Sequence, residues 1–108
     1  MNKIEHFNET KYEAGIEITS KGGKHTKLQV AFHLFPHKAH VKVCEVLHTG
    51  ALKYGVDNWK NIPIDDQLNH ALYHINQYFI TKEKYHLSNA SCRILFALDL
   101  SEETNNDK

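Results

Sequence analysis

The second half of the chain carries apolar residues at helical spacing. From Pro36 onward they recur three and four positions apart, which predicts a helix over residues 36–53 that Gly55 ends. Similar patterns predict helices over residues 65–80 and 85–100. The expected apolar faces are Ala39, Val43, Val46, Leu47, Gly50 and Ala51 in the first helix, Leu68, Ala71, Leu72, Ile75 and Phe79 in the second, and Leu87, Ala90, Ile94, Leu95 and Leu98 in the third.

The first third of the chain has a weaker pattern. Residues 12–19 loosely alternate between apolar and polar, which predicts a short strand or hairpin arm, and the SKGGK segment that follows predicts a turn. The apolar residues 27–35 are compatible with a helix or a strand. Asp65 or Asp66 is the expected cap of the second helix.

Three helices joined by short connections predict a mostly α fold: a small antiparallel bundle of about three main helices with a short N-terminal strand or arm. We expect one domain over residues 1–108, with flexible polar tails at 1–10 and 101–108. Because three short helices make a thin core, we also expect a homo-oligomer.

Composition excludes several classes of function. The 13 basic and 13 acidic residues cancel, which argues against general nucleic-acid binding through phosphate neutralisation. No apolar run reaches transmembrane length, and the polar N-terminus has no signal-peptide pattern. Cys44 and Cys92 lie in apolar helical patterns without CxxC spacing. These features predict a reduced cytoplasmic protein that does not bind membranes.

Residues 50–59, GALKYGVDNW, combine groups that suit a phosphorylated ligand. Lys53 offers a positive charge, Tyr54 a phenol, Asn58 a two-sided amide and Trp59 a flat surface for stacking. The alternative is structural: the two aromatic residues would belong to the core, and Lys53 would be a solvated surface charge.

A longer pattern includes this segment. Residues 36–59, P-x-x-A-x-x-x-V-x-x-V-L-x-x-G-A-x-K-Y-G-x-x-N-W, resemble the phage dATP/dGTP diphosphohydrolase-type family, and GGKHTKL, HALYHI and HLSNASCRILFAL resemble its neighbouring segments. The resemblance implies an all-helical fold near the MazG-like nucleotide pyrophosphohydrolases and a purine nucleotide ligand. It also implies a host cytoplasmic location if the chain is encoded by a phage. Carried over by position, the implied ligand-binding residues are Lys53, Tyr54, Asn58, Trp59, His74 and His86.

The departures from that family concern its acidic residues. The family has a G-E-x-x-D-x-E-S-G turn before its last helix, where this chain has QYFITKEKYH with a single acid, Glu83. Tyr73 replaces the family's arginine, and Asn89 replaces its second histidine. Since Mg²⁺ needs several oxygen ligands, these departures indicate no resident metal or other cofactor and no catalytic residues.

Two further sets of side chains leave alternatives open. His70 and His74 share a helical face, as a zinc pair would, and His86 or Cys92 could complete such a site. Equally, histidines 70, 74 and 86 could form a polar seam between helices together with Asn89 and Arg93. The helical stripe of His86 also includes Asn89 and Arg93, so we add both residues to the predicted ligand-binding set. The guanidinium of Arg93 suits phosphate recognition, but Arg93 could equally be an exposed residue without a ligand.

Three functions are compatible with these features. The leading hypothesis is a protein that binds a nucleotide or nucleotide-derived signal without hydrolysing it, for example as a phage anti-defence sequestering protein. The first alternative is an active Mg²⁺-dependent (d)NTP diphosphohydrolase, which would rebuild an acidic site from Asp57, Asp65, Asp66 and Glu83. The second is an interaction protein without a small ligand.

Overall fold

The computed structural model describes residues 12–106, which form two units, one ending at Phe35 and one beginning at Pro36. The predicted tail at 1–10 lies outside the described residues. The prediction of a single domain stays a prediction. Among the described residues, no helix combines the length and apolar character that a membrane crossing requires.

The first unit is a β-hairpin. Strand β1 (Glu13–Ile18) pairs antiparallel with β2 (Lys24–Leu28), and the pairing is irregular between Glu13 and Ile16. Gly15 has φ +70 at that irregularity, a conformation that glycine adopts without strain. The ambiguous residues 27–35 therefore divide between the end of β2 and a short 3-10 helix, Phe32–Leu34.

The second unit contains three helices, as predicted: α1 (His37–Tyr54), α2 (Ile64–Thr81) and α3 (Lys84–Asn106). Gly55 ends α1 with φ +99 and donates its N–H to the carbonyl of Ala51. The cap predicted for α2 is wrong, because Pro63 holds that position. Asp65 and Asp66 lie in the first turn of α2, where carboxylates favour the positive end of the helix dipole. Residues 101–106, predicted to belong to a flexible tail, continue α3.

Helices α2 and α3 pack as an antiparallel pair, and α1 packs against α3. The buried side chains along the contact line between α2 and α3 are small or polar. They include Gln67 and Ala71 of α2, and His86, Ala90 and Ala97 of α3. Small side chains let the two helix axes approach closely.

The predicted apolar faces of α2 and α3 are therefore only partly buried. Ala71 and Ala90 lie on the contact line, but most of the large residues lie outside it and are exposed, and Ile75 is half-buried. Leu72, Phe79 and Leu98 are 64%, 67% and 58% exposed. The other exposed large members of the predicted faces are Leu68, Leu87, Ile94 and Leu95.

Candidate functional site

The loop after α1 has a defined local structure. Asp57 adopts a left-handed conformation, with φ 64, and begins a short 3-10 helix, Asn58–Asn61. The N–H of Asn58 donates to the carbonyl of Gly55 at 3.3 Å. Lys60 pairs with Asp57 at 3.8 Å. The chain is thereby turned so that Asn58 and Trp59 face the helices.

Trp59 is held at both its ring and its backbone. The ring stacks on Phe96 of α3 with centroids 4.4 Å apart and planes 5° from parallel. Its carbonyl accepts hydrogen bonds from the N–H of Ile62 at 3.1 Å and from the side-chain amide of Gln67 at 3.0 Å. The residue is half-buried, so it has the packing role of a core aromatic and also lines the cleft described below.

Gln67 connects this loop to Arg93. Its Nε2 donates to the Trp59 carbonyl, and its Oε1 accepts from Nη1 of Arg93 at 2.9 Å. The Gln67 side chain is fully buried. Gln67 is not among the site residues predicted from the sequence. The sequence feature that marks it is its position one turn before Ala71, on the contact line of α2 rather than on the polar face of that helix.

A histidine pair joins α2 to α3. Nδ1 of His74 lies 3.0 Å from Nδ1 of His86, so one ring donates and the other accepts. Burial lowers the pKa of His74, and the neighbouring charges of His86, Arg93 and His70 lower it further. The predicted polar seam is thus present between these two rings. Asn89 instead donates to the Tyr85 carbonyl within its own helix, at 2.8 Å.

These elements enclose a cleft of about 1190 Å³ between α1, the loop, α2 and α3. Most residues predicted to bind a ligand line it: Lys53, Tyr54, Asn58, Trp59, His74, Asn89 and Arg93. His86 does not line the cleft, but it contacts two residues that do, His74 and Tyr85. Nζ of Lys53 lies 5.2 Å from the centroid of the Tyr54 ring.

The charge of the cleft is predominantly positive. Among the described residues, four of its lining side chains are cationic at neutral pH, namely Lys42, Lys53, Lys84 and Arg93, and two are carboxylates, Glu45 and Asp57. Both carboxylates are ion-paired, Glu45 with Lys42 at 3.4 Å and Asp57 with Lys60. Because Lys42 and Lys60 largely compensate these carboxylates, the net positive charge that an anion meets in the cleft comes from Lys53, Lys84 and Arg93.

The acids that an enzyme would use are dispersed. Asp65, Asp66 and Glu83 do not line the cleft. Within residues 12–106, no group of three or more histidine, cysteine or acidic side chains is arranged to hold a metal ion. Burial raises the pKa of Cys92 to about 11, against the opposing effect of Arg93. Its thiol is therefore protonated at neutral pH and is a weak metal ligand.

Comparison with known proteins agrees with the resemblance in the sequence. The family model described as dATP/dGTP diphosphohydrolase, N-terminal, matches residues 19–108, which include the whole cleft. Neither a curated protein nor a solved structure matches the chain.

The histidine pair predicts a pH dependence of stability. The pKa of His74 is lower in the folded than in the unfolded chain, so between the two values the unfolded state binds more protons. The free energy of unfolding should therefore be greatest above about pH 6.5 and decrease as the pH falls below the unfolded value. Urea denaturation from pH 8 to 5 measures this. His74→Asn should reduce the pH dependence, and His48→Asn, at an exposed position, should retain it; equal slopes in both variants would contradict the assignment.

Proposed function

We propose that this chain, which belongs to the dATP/dGTP diphosphohydrolase N-terminal family, binds a nucleotide or nucleotide-derived molecule in the cleft without hydrolysing it. The observation that carries the proposal is the cleft's lining. Lys53 and Arg93 stand beside aromatic side chains, whereas the carboxylates at hand are ion-paired with lysines.

The groups in the cleft suit the parts of a nucleotide. Lysine and arginine side chains bind phosphate oxygens, arginine with a planar fork of donors. Tyr54, Tyr73 and Tyr85 offer ring faces or hydroxyl groups to a base, and Asn58 offers an amide. A volume of about 1190 Å³ is ample for such a ligand.

Retention of the ligand follows from what the cleft has and lacks. Hydrolysis of a phosphoanhydride needs charge stabilisation on the phosphoryl oxygens and a base that positions water. Lys53 and Arg93 meet the first requirement. The paired carboxylates Glu45 and Asp57 do not form a cluster of acids of the kind that holds Mg²⁺.

A protein that holds a nucleotide without turnover lowers its free concentration. We therefore propose sequestration as the biological use, in the cytoplasm, and against a host defence signal if the chain is encoded by a phage. The family match favours a second candidate, a Mg²⁺-dependent (d)NTP diphosphohydrolase. That activity would require Glu45 and Asp57 to leave their lysine partners, or acids from a second copy.

We also propose that the chain forms a homodimer through one face of the α2–α3 pair. Each of the two helices has a stripe of residues spaced by four, three and four positions. The stripe of α2 is Leu68, Leu72, Ile75 and Phe79, and the stripe of α3 is Leu87, Ser91, Ile94 and Leu98. In each helix the stripe lies one residue after the contact line. Because α2 and α3 are antiparallel, both stripes lie on the same side of the pair, opposite the cleft.

This face suits a second copy because it is uncharged and has the same spacing on both helices. Two such pairs, related by a two-fold axis, would form a four-helix bundle. Burying each exposed leucine, isoleucine or phenylalanine would contribute about 1.5–3 kcal/mol at most. The described part of one chain buries only small apolar residues and Val43, so the dimer would supply most of the missing core.

The binding proposal is tested with Lys53→Ala. Lys53 is exposed, and its neighbour across the 5.2 Å contact, the Tyr54 ring, is exposed too, so the variant should unfold like the parent protein. Loss of a charge-assisted hydrogen bond should weaken dGTP binding by about 1.5–3 kcal/mol, measured by calorimetry in EDTA. Lys38→Ala, on the same helix but outside the cleft, is the control. Equal dGTP affinity in both variants would remove Lys53 from the site.

Retention of the ligand predicts that the protein does not turn nucleotides over. dATP or dGTP incubated with the protein, with or without Mg²⁺, should be recovered unchanged and in stoichiometric amount after heating, as measured by chromatography. Steady release of pyrophosphate that a chelator abolishes would establish the diphosphohydrolase instead.

The proposed homodimer predicts the mass of the protein in solution. Light scattering at micromolar concentration should give about twice 12.5 kDa. Leu72→Glu should produce monomers or unfolded chains, because a buried unpaired carboxylate is strongly unfavourable. Leu52→Glu introduces the same charge at an exposed leucine of α1 and should leave the mass unchanged. A mass of 12.5 kDa for the parent protein would be decisive against the dimer.

A further inference from the structure

Gln67 is the one fully buried polar side chain that the described residues place beside the cleft. A buried amide needs partners for both its oxygen and its nitrogen, and Gln67 has one for each. Nε2 donates 3.0 Å to the Trp59 carbonyl, and Oε1 accepts 2.9 Å from Arg93. The two partners belong to the loop and to α3, so this side chain spans two walls of the cleft.

The bond to Trp59 fixes the loop. The Trp59 carbonyl accepts from Gln67 and from the N–H of Ile62, which uses both of its lone pairs. The ring of the same residue is stacked on Phe96. Without Gln67 the loop would keep its internal hydrogen bonds and the ring contact, but the Trp59 carbonyl would lose one of its two partners, the one that ties the loop to α2.

The bond to Arg93 has a different consequence. A glutamate at position 67 could also accept from the guanidinium, but its charge would cancel that of the arginine. A glutamine orients Arg93 through a neutral oxygen and leaves its positive charge available to an anion in the cleft. Nη1 supplies one of the five N–H donors of the guanidinium, so the group can bind Gln67 and a phosphate together.

We infer that Gln67 is a positioning residue of the cleft, which holds the Trp59 loop in place and orients Arg93 without neutralising it. The part that concerns phosphate rests on the proposed nucleotide binding. The part that concerns the loop does not depend on a ligand.

Two substitutions separate these parts. Gln67→Met keeps the approximate length of the side chain and removes both hydrogen bonds. Gln67→Glu removes the donor to Trp59 and adds a charge next to Arg93. If the methionine variant does not fold, Gln67→Asn replaces it, since an amide shorter by one methylene cannot reach both partners.

The loop is tested without ligand. Trp59 is the only tryptophan in the chain, so its fluorescence reports on the loop alone. In both variants its emission should shift to longer wavelength and its quenching by iodide should increase, while circular dichroism shows the helices intact. Emission and quenching equal to the parent protein would overturn the positioning role.

The effect on Arg93 is tested with dGTP in EDTA at low and high salt. Gln67→Glu should weaken binding by about tenfold or more at low salt, and the difference from the parent protein should shrink at high salt because screening reduces charge effects. Gln67→Met should weaken binding by a similar factor at both salt concentrations. Identical salt dependence in the two variants would overturn the inference that Gln67 orients Arg93 without neutralising its charge. If the parent protein fails to bind dGTP, the proposed function fails, and the fluorescence result still decides the positioning of the loop.

Discussion

The cleft depends on one buried amide. Gln67 lies on the contact line of α2, one turn before Ala71 and three turns before Tyr78, and it is fully buried there. Its two hydrogen bonds tie the loop after α1 to α2 and α2 to Arg93 of α3. Helix α1 also packs against α3, and the loop joins α1 covalently to α2. Removing the amide would therefore loosen several walls at once.

The histidine pair completes the same line of contact. His74 and His86 hydrogen-bond across α2 and α3, one turn beyond Ala71 and Ala90. Burial and the neighbouring positive groups lower the pKa of His74, so this ring is less often charged near neutral pH than an exposed histidine. The charge that an anion would meet comes from the lysines and Arg93.

The sequence predicted the three helices and the Gly55 cap, because helical periodicity and turn chemistry are local properties. The GALKYGVDNW residues selected from the sequence line the cleft, and their binding of a ligand stays a prediction. The sequence did not predict which stripe of each helix is buried. Leu72 and Ala71 are adjacent, and apolar periodicity favours the larger residue, whereas close packing of α2 on α3 selects the smaller one. The role of Gln67 was not predicted because its hydrogen-bond partners are eight and 26 residues away in the chain, and no local pattern shows them.

The burial pattern gives α2 and α3 two different sides. One side carries His70, His74, Asn89 and Phe96 into the cleft, and the opposite side carries the exposed leucines, Ile94 and Phe79. Among the described residues, a core of alanines, one cysteine, one valine and polar residues contributes little hydrophobic free energy for a domain of this size. The large apolar side chains are thus placed where only another surface can bury them, and the polar and aromatic ones where a small anionic ligand can reach them. The proposed ligand site and the proposed dimer face thus lie on opposite sides of the same pair of helices, so a ligand in the cleft and a partner on the apolar face would not compete for the same residues.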